Sequence, residues 1–213
     1  MDTCTFLSVK LPNTYTIEHR NKLKKLIKIC MLDAYSNSCS KFMSGFTNII
    51  ELWFAEQVLA YQYNINNIHL EAVLPYQWHE MNYYSNPETC KRYEHVLSYC
   101  LSKYIVSTNV RWDDDSINGK YERRISVLLR NFFMIDNSSV LICVYNADLD
   151  LTGNVTRALQ RAEEKTRTVI LIDPTTFDLT YRNLPHDWHF LYESQRTKYG
   201  YLIPELVYDD EDD

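Results

Sequence analysis

Residues 139–145 read Ser-Val-Leu-Ile-Cys-Val-Tyr, and residues 168–172 read Thr-Val-Ile-Leu-Ile. Both stretches are short apolar runs rich in β-branched residues, which is typical of strands buried on both faces of a parallel sheet. Between them, residues 155–165 have the apolar spacing of a helix. A buried strand, a helix and a second buried strand together form the repeating unit of α/β proteins, so these residues indicate the fold class.

The same alternation of strand and helix extends back to the amino terminus. The pattern predicts strands at 5–9, 41–44, 68–74 and 104–107, and helices at 18–35, 49–63, 86–101 and 122–135. Strand alternating with helix about six times implies right-handed crossovers within one sheet. We therefore predict an α/β fold, namely a three-layer Rossmann-like domain with a mainly parallel sheet and helices on both faces.

Composition divides the chain into three parts. We expect one Rossmann-type domain over residues 1–176 and an aromatic-rich C-terminal extension, residues 177–208, packed on the same domain. The pattern of the extension predicts no definite secondary structure. Residues 209–213 read Asp-Asp-Glu-Asp-Asp, which predicts a solvated, disordered acidic tail.

The acidic tail also accounts for most of the formal charge of −6. Outside it, 23 acidic and 22 basic side chains nearly cancel. A protein dedicated to nucleic acids normally has a basic surplus, so we expect no nucleic-acid partner.

Cysteine and histidine usage points to the cytoplasm and away from metal chemistry. The six cysteines contain no C-x-x-C pair, which is typical of reduced thiols in a cytosolic protein. Neither a signal peptide nor an apolar run long enough to span a membrane is recognisable. His186 and His189 lack a second pair of ligands at zinc-binding spacing, so no metal site is predicted.

Glycine is scarce. Average usage would give about 15 glycines in a chain of this length, and this chain has 4. Neither the G-x-G-x-x-G fingerprint nor a P-loop occurs, which excludes an ordinary dinucleotide-binding dehydrogenase and a P-loop NTPase.

Two of the four glycines follow predicted strands. Ligands of open parallel sheets bind beyond the carboxyl ends of the strands, where the loops 44–48 and 149–154 contain Gly45 and Gly153. Each loop leads into a helix, so its backbone N–H groups suit a phosphate or a carboxylate. The alternative interpretation is a plain turn, with Gly45 chosen for its backbone angles and Asn48 as the helix cap.

The remaining polar candidates also allow two interpretations each. Glu51 suits either a ligand or the dipole of its own helix, and Trp53 is better explained as a core residue than as a stacking platform. Arg130 suits a phosphate or a carboxylate such as Asp136, and an ion pair is the preferred interpretation. Without a G-x-S-x-G elbow or a recognisable base, no catalytic residue is predicted, and the chain is more easily explained as a binding protein than as an enzyme.

Four stretches of the chain form a more specific pattern. They are Phe42-Met43-Ser44-Gly45 followed by Glu51, Trp53, Ala55 and Glu56; Leu70 to Tyr76 with Trp78; Arg130-Asn131 followed by Met134-Ile135-Asp136 and Ser139; and Gly153 followed by Ile172-Asp173-Pro174. In this order they resemble the YspA-like branch of the SLOG superfamily, a Rossmann-like group related to DprA and to the LOG phosphoribohydrolases.

The chain departs from the family pattern at the loops. Leu7-Ser8-Val9-Lys10 stands where T-G-H-R-P is usual, Ile49 replaces a further glycine, and the glycine pair becomes Gly153-Asn154. The glutamate of LOG enzymes falls near Gln160, which has no carboxylate. These departures weaken the case for phosphoribohydrolase activity.

The resemblance implies a nucleotide or nucleotide-derived ligand. It places phosphate or ribose contacts at Ser44, Gly45, Thr47, Gly153, Asn154 and Thr156, a hydroxyl contact at Glu51 and base stacking at Tyr76 or Trp78. Arg130 is a further ligand-binding candidate, because its guanidinium suits an anion. No separate cofactor is implied. The alternatives are a degenerate scaffold that acts through a protein partner or a homo-oligomer, as the 17 tyrosines suggest, and a nucleoside-monophosphate phosphoribohydrolase.

Overall fold

The computed structural model describes residues 2–190 except residues 13 and 66. The strands are β1 (Asp2–Ser8), β2 (Cys39–Ser44), β3 (His69–Tyr76), β4 (Ser102–Ser107), β5 (Val140–Val144), β6 (Thr168–Ile172) and β7 (Leu179–Arg182). The helices are α1 (Ile17–Ser36), α2 (Ile49–Gln62), α3 (Glu80–Tyr83), α4 (Pro87–Ser98), α5 (Ile117–Asp136) and α6 (Asn154–Glu164), with a 3₁₀ turn at Ala147–Leu149.

The strands form one sheet in the order β4-β3-β2-β1-β5-β6-β7. Strands β1 to β6 are parallel, and β7 lies antiparallel to β6 at the edge. The order runs outward from β1 to β4 on one side and from β5 to β7 on the other. Strand order therefore reverses between β1 and β5, which is where open α/β sheets bind ligands.

Side chains of the central strands alternate between two apolar layers. Phe6 packs toward α1, α2 and α4, and its ring stacks on Phe54 with centroids 4.3 Å apart. The adjacent Leu7 packs on the opposite face with Met134 and Leu159 of α5 and α6. Alternate side chains therefore face opposite layers, as the pleat of a strand requires. The predicted three-layer Rossmann-like architecture is confirmed.

Several features differ from the prediction. Strand β1 begins at Asp2 rather than at 5, β3 continues through Pro75 to Tyr76, and the short helix α3 was not predicted. Helix α5 begins at Ile117 rather than at 122, because the Ser116 hydroxyl accepts a hydrogen bond from the Gly119 N–H and caps the helix earlier. Strand β7 was not predicted, since its four residues become a strand through pairing with β6.

Residues 177–190 pack against α1. The Phe177 ring lies 5.6 Å from that of His19, near the beginning of the helix. The His189 N–H donates to Oδ1 of Asn37, at its end, over 2.8 Å. Residues 191–208 of the predicted extension and the predicted acidic tail lie outside the described residues.

Among the helices of the described residues, none combines the length and apolar character needed to cross a bilayer. In the same part of the chain, no group of three or more His, Cys, Asp or Glu side chains is placed to hold a metal ion.

Candidate functional site

A cleft of about 930 Å³ opens at the carboxyl ends of the parallel strands, beside the reversal point between β1 and β5. Its walls are the ends of β1 and β3, the beginning of α2, one face of α5 and the loop that precedes α6. The sheet therefore brings both glycine-containing loops to the edge at which parallel α/β proteins bind ligands.

Helix α5 forms one long wall of the cleft. Lys120, Arg124, Val127 and Asn131 all line it, and their spacing of four, three and four residues places them on one helical face. Lys120 and Arg124 are exposed at the mouth, whereas Asn131 is buried at the floor. The side chains on this wall are therefore cationic at the mouth of the cleft and carry a neutral amide at its floor.

The floor contains a buried ion pair between Arg130 and Glu51. Both residues are 1% exposed, and Nη1 of Arg130 donates to Oε2 of Glu51 over 2.9 Å. The same oxygen accepts hydrogen bonds from the Thr47 backbone N–H at 2.7 Å and from Thr47 Oγ1 at 3.0 Å. Nη2 of Arg130 also donates to Thr47 Oγ1 over 3.2 Å. The network ties α5 to the β2–α2 loop.

This pair explains Gly45 and corrects two expectations. A Cβ built on Gly45 would lie 1.2 Å from Nη1 of Arg130, so glycine is required for space. The interpretation that Gly45 serves backbone angles is wrong, because the positive φ in this loop, 56°, belongs to Phe46. Asp136 was also the wrong example of an Arg130 partner, since Arg161 donates to it over 2.8 Å.

The Phe46 carbonyl is anchored from two sides. It accepts from the Tyr84 hydroxyl at 3.0 Å, and Nε2 of His79 lies 3.1 Å away. Burial lowers the pKa of His79 to about 3, so the ring is neutral at pH 7. We assign its proton to Nε2 because the facing group is a carbonyl. These two contacts hold the loop backbone in position.

The loop before α6 is organised around Asp150. Its Oδ2 accepts hydrogen bonds from the Thr156 N–H at 2.7 Å and from Thr156 Oγ1 at 2.8 Å. Gly153 adopts φ 66°, which glycine tolerates and most residues do not. Nη2 of Arg124 donates to the Thr152 carbonyl over 2.6 Å, which links this loop to α5. A carboxylate of the chain itself therefore caps the beginning of α6.

The structure brings only some of the predicted site residues together. Those that line the cleft are Thr47, Glu51, Tyr76, Arg130 and Asn154. Ser44, Gly45, Gly153 and Thr156 do not line the cleft, and the Ser44 hydroxyl donates to the Glu51 carbonyl over 3.0 Å. Trp78 is 56% exposed and is not part of the cleft wall, so it does not share a site with the others.

Sequence reasoning missed Asn131, Lys120 and Lys10 as cleft residues. Asn131 followed Arg130 in the quoted motif, and this adjacency was the available signal. Lys120 was hidden because the helix was predicted to begin after it. Oδ1 of Asn131, Oδ1 of Asn154 and Nε of Arg130 are buried atoms without a hydrogen-bond partner among the described residues, so the floor contains two unsatisfied acceptors and one unsatisfied donor.

Basic side chains outnumber acidic ones among the residues that line the cleft. Among the described residues, its basic lining residues are Lys10, Arg20, Lys120, Arg123, Arg124 and Arg130, and its acidic ones are Glu51, Asp148 and Asp150. Of these, Arg130 and Glu51 neutralise each other, and Arg123 donates to the carbonyls of Trp112 and Asp114. The cleft concentrates positive charge in a chain whose overall charge is −6.

Comparison with known families explains this arrangement of sheet and loops. The family model described as the YspA SLOG family matches residues 16–177. The chain belongs to the YspA SLOG family. The SLOG match runs from the beginning of α1 to the turn after β6, so it includes both glycine-containing loops and leaves β1 outside. No curated protein matches the chain.

Proposed function

We propose that this SLOG-family protein binds a nucleotide or nucleotide-derived molecule in the cleft, in a binding or sensing role. The observation that carries the proposal is the surplus of basic side chains around a cleft at the reversal point of the sheet. Arg and Lys are both common phosphate-binding residues. The cleft volume of about 930 Å³ lies within the range of small-molecule sites.

The cleft also offers partners for the neutral parts of a nucleotide. Tyr83 lines the cleft and is partly exposed, so its ring is available to stack on a base. Tyr76 lines the cleft but is buried, and Trp78 is outside it, which favours Tyr83 over both predicted platforms. Glu51, Asn131 and Asn154 supply oxygens that accept hydrogen bonds from ribose hydroxyls.

The arrangement of polar groups favours binding over catalysis. Glu51 and Asp150 each accept hydrogen bonds from their own loop, so neither carboxylate is poised as a general base. Burial raises the pKa of the Cys143 thiol, which keeps it protonated and unreactive. We accordingly expect no release of ribose 5-phosphate from nucleoside monophosphates.

Isothermal titration calorimetry with a panel of nucleotides tests the proposal. The panel contains AMP, ADP, ATP, cyclic nucleotides and ADP-ribose. We expect saturable binding of at least one compound, weakened by added salt because the mouth is cationic. The variant Lys120→Gln should bind more weakly, whereas Lys91→Gln on the exposed side of α4 should not. The absence of heat across the whole panel at millimolar concentration would contradict the proposal.

A second candidate function is association through the β4 edge of the sheet. Strand β4 pairs only with β3 among the described strands, and its Tyr104 and Ile105 side chains are partly exposed. An unpaired strand edge with apolar side chains is a template for pairing with another chain. Sedimentation of the wild type and of Ile105→Lys tests this, with a dimer expected for the wild type only. A monomeric wild type that captures no partner in pull-down assays would count against it.

A further inference from the structure

We infer that the molecule bound in the cleft enters with its sugar first and leaves its phosphate at the mouth, in contact with Lys120 and Arg124 of α5. The inference rests on the proposed function, which it deepens by assigning an orientation. It places the phosphate outside the backbone N–H donors of the two glycine-containing loops, where the family resemblance had placed it.

The loop donors are already occupied. At the beginning of α2, Oε2 of Glu51 accepts hydrogen bonds from the Thr47 N–H and hydroxyl, which are donors that a phosphate would use. At the beginning of α6, Oδ2 of Asp150 accepts from the Thr156 N–H and hydroxyl in the same way. A phosphate in either place would replace a carboxylate or lie against it, and like charges at such distances repel.

The floor instead suits groups that both donate and accept hydrogen bonds, as sugar hydroxyls do. Asn131 is 1% exposed and Asn154 is 6% exposed, both line the cleft, and Oδ1 of each lacks a partner among the described residues. Both oxygens are buried in the structure, so a ligand hydroxyl reaches them only after rotation about the terminal torsion of each side chain, which is broad for asparagine. Sugar hydroxyls satisfy such acceptors, whereas the oxygens of a phosphate dianion do not. Arg130 adds no free positive charge here because Glu51 neutralises it.

The mouth suits the anion. Lys120 and Arg124 lie one helical turn apart on the cleft face of α5, so one phosphate can contact both. Arg124 donates one Nη2–H to the Thr152 carbonyl. This hydrogen bond orients the guanidinium, and the remaining N–H groups are available to an anion. Arg124 and Asn131 are seven residues apart, which corresponds to about 10 Å along the helix axis. That separation lets a sugar and its phosphate contact opposite ends of the wall.

Calorimetry with inorganic pyrophosphate, adenosine and AMP distinguishes the two orientations. The variants are Lys120→Gln and Arg124→Gln at the mouth, Asp150→Asn at the α6 loop, and Asn131→Ala at the floor. Lys91→Gln and Asp178→Asn are exposed charge-matched controls. Thermal melting of each variant establishes that it is folded before binding is compared.

We expect each mouth variant to weaken the binding of pyrophosphate and of AMP at least fivefold. The same variants should change the affinity for adenosine less than twofold. Asn131→Ala should weaken the binding of adenosine and of AMP by similar factors and leave the affinity for pyrophosphate unchanged. Asp150→Asn should change pyrophosphate binding less than threefold. If Asp150→Asn instead tightens pyrophosphate fivefold or more while the mouth variants have no effect, the phosphate sits at the loop and the orientation is wrong. If the wild type binds none of the three probes or the nucleotide panel, the proposed function fails and the orientation fails with it.

Discussion

Gly45 illustrates how a single residue serves packing rather than a ligand. Its missing side chain leaves the volume that the Arg130 guanidinium occupies, and this position lets Arg130 reach Glu51 across 79 residues of sequence. A buried ion pair stays intact only when both members are present and hydrogen-bonded. Gly45 is therefore tied to the stability of the cleft floor.

The first prediction concerns this contact. Gly45→Ala should displace Arg130 and leave Glu51 buried without its partner, which costs about 3 kcal/mol of unfolding free energy. Urea denaturation followed by circular dichroism measures the loss. Ser40→Ala, a small change at a buried position in β2, serves as the control. A Gly45→Ala protein within about 0.5 kcal/mol of the wild type would show that the pair is not formed as described.

The second prediction concerns the pair itself. Glu51→Gln and Arg130→Met should each destabilise the protein by about 3 kcal/mol, because each leaves one buried charge. The double variant should lose less than the sum of the two, since it leaves no buried charge unpaired. A double-mutant cycle in urea measures the coupling, and strictly additive losses would contradict a direct ion pair.

At the scale of elements, the loops owe their shape to caps formed by their own side chains. Oδ1 of Asn48 accepts hydrogen bonds from the N–H groups of Ile50 at 2.9 Å and Glu51 at 3.1 Å, and from the Ser8 hydroxyl at 3.0 Å. One side chain thus caps α2 and fastens it to the end of β1. The predicted role of Asn48 as helix cap is confirmed.

The third prediction concerns this cap. Asn48→Ala should cost about 1–2 kcal/mol, because two helix N–H groups and the Ser8 hydroxyl lose their acceptor. Asn48→Asp, which keeps an acceptor oxygen, should recover most of the loss. Thermal and urea unfolding of the two variants test this. Equal stability of Asn48→Ala and the wild type would mean that the cap contributes nothing.

The fourth prediction separates backbone strain from crowding in the second loop. Nothing lies within 4 Å of a Cβ built on Gly153, so Gly153→Ala meets no clash. Its φ of 66° should still make the alanine variant about 1 kcal/mol less stable. Gly153→Asn should lose less, because asparagine tolerates this region. Unfolding free energies measured in urea test this order. A Gly153→Ala variant more stable than Gly153→Asn would refute the strain argument.

At the scale of the whole molecule, burial of His79 makes stability depend on pH. The pKa of His79 falls from 6.5 to about 3 in the folded protein, mainly through desolvation. The unfolded chain therefore binds a proton at a pH at which the folded chain does not. The stabilisation is complete above pH 6.5 and is lost as the pH falls toward 3, by at most about 1.4 kcal/mol per pH unit from this group.

The fifth prediction follows from that shift. In a histidine-detected NMR titration, the His79 signals should stay in the neutral form down to about pH 4. His79→Gln should flatten the acid limb of the stability curve. Titration of His79 near pH 6.5 would contradict its burial.

The amount of structure that the sequence predicted differs between elements. Strand β6 was predicted with its observed bounds and β5 within one residue at each end, because a buried parallel strand must be apolar along its whole length. Strand β7 and the beginning of α5 were missed, since the first depends on a neighbouring strand and the second on the Ser116 cap. The membership of the SLOG family, also predicted, rests on stretches that keep their order along the chain.

The amino-acid sequence by itself determined the alternation of buried strands and helices, the family, and the edge of the sheet at which polar loops gather. These properties follow from local apolar patterning and chain order. Only the tertiary structure decided that Glu51 and Asp150 occupy the loop donors and that Arg130 lies over Gly45. Such contacts depend on distances between side chains that the fold brings together from separate elements. The position of a carboxylate in the sequence does not specify which N–H group will donate to it.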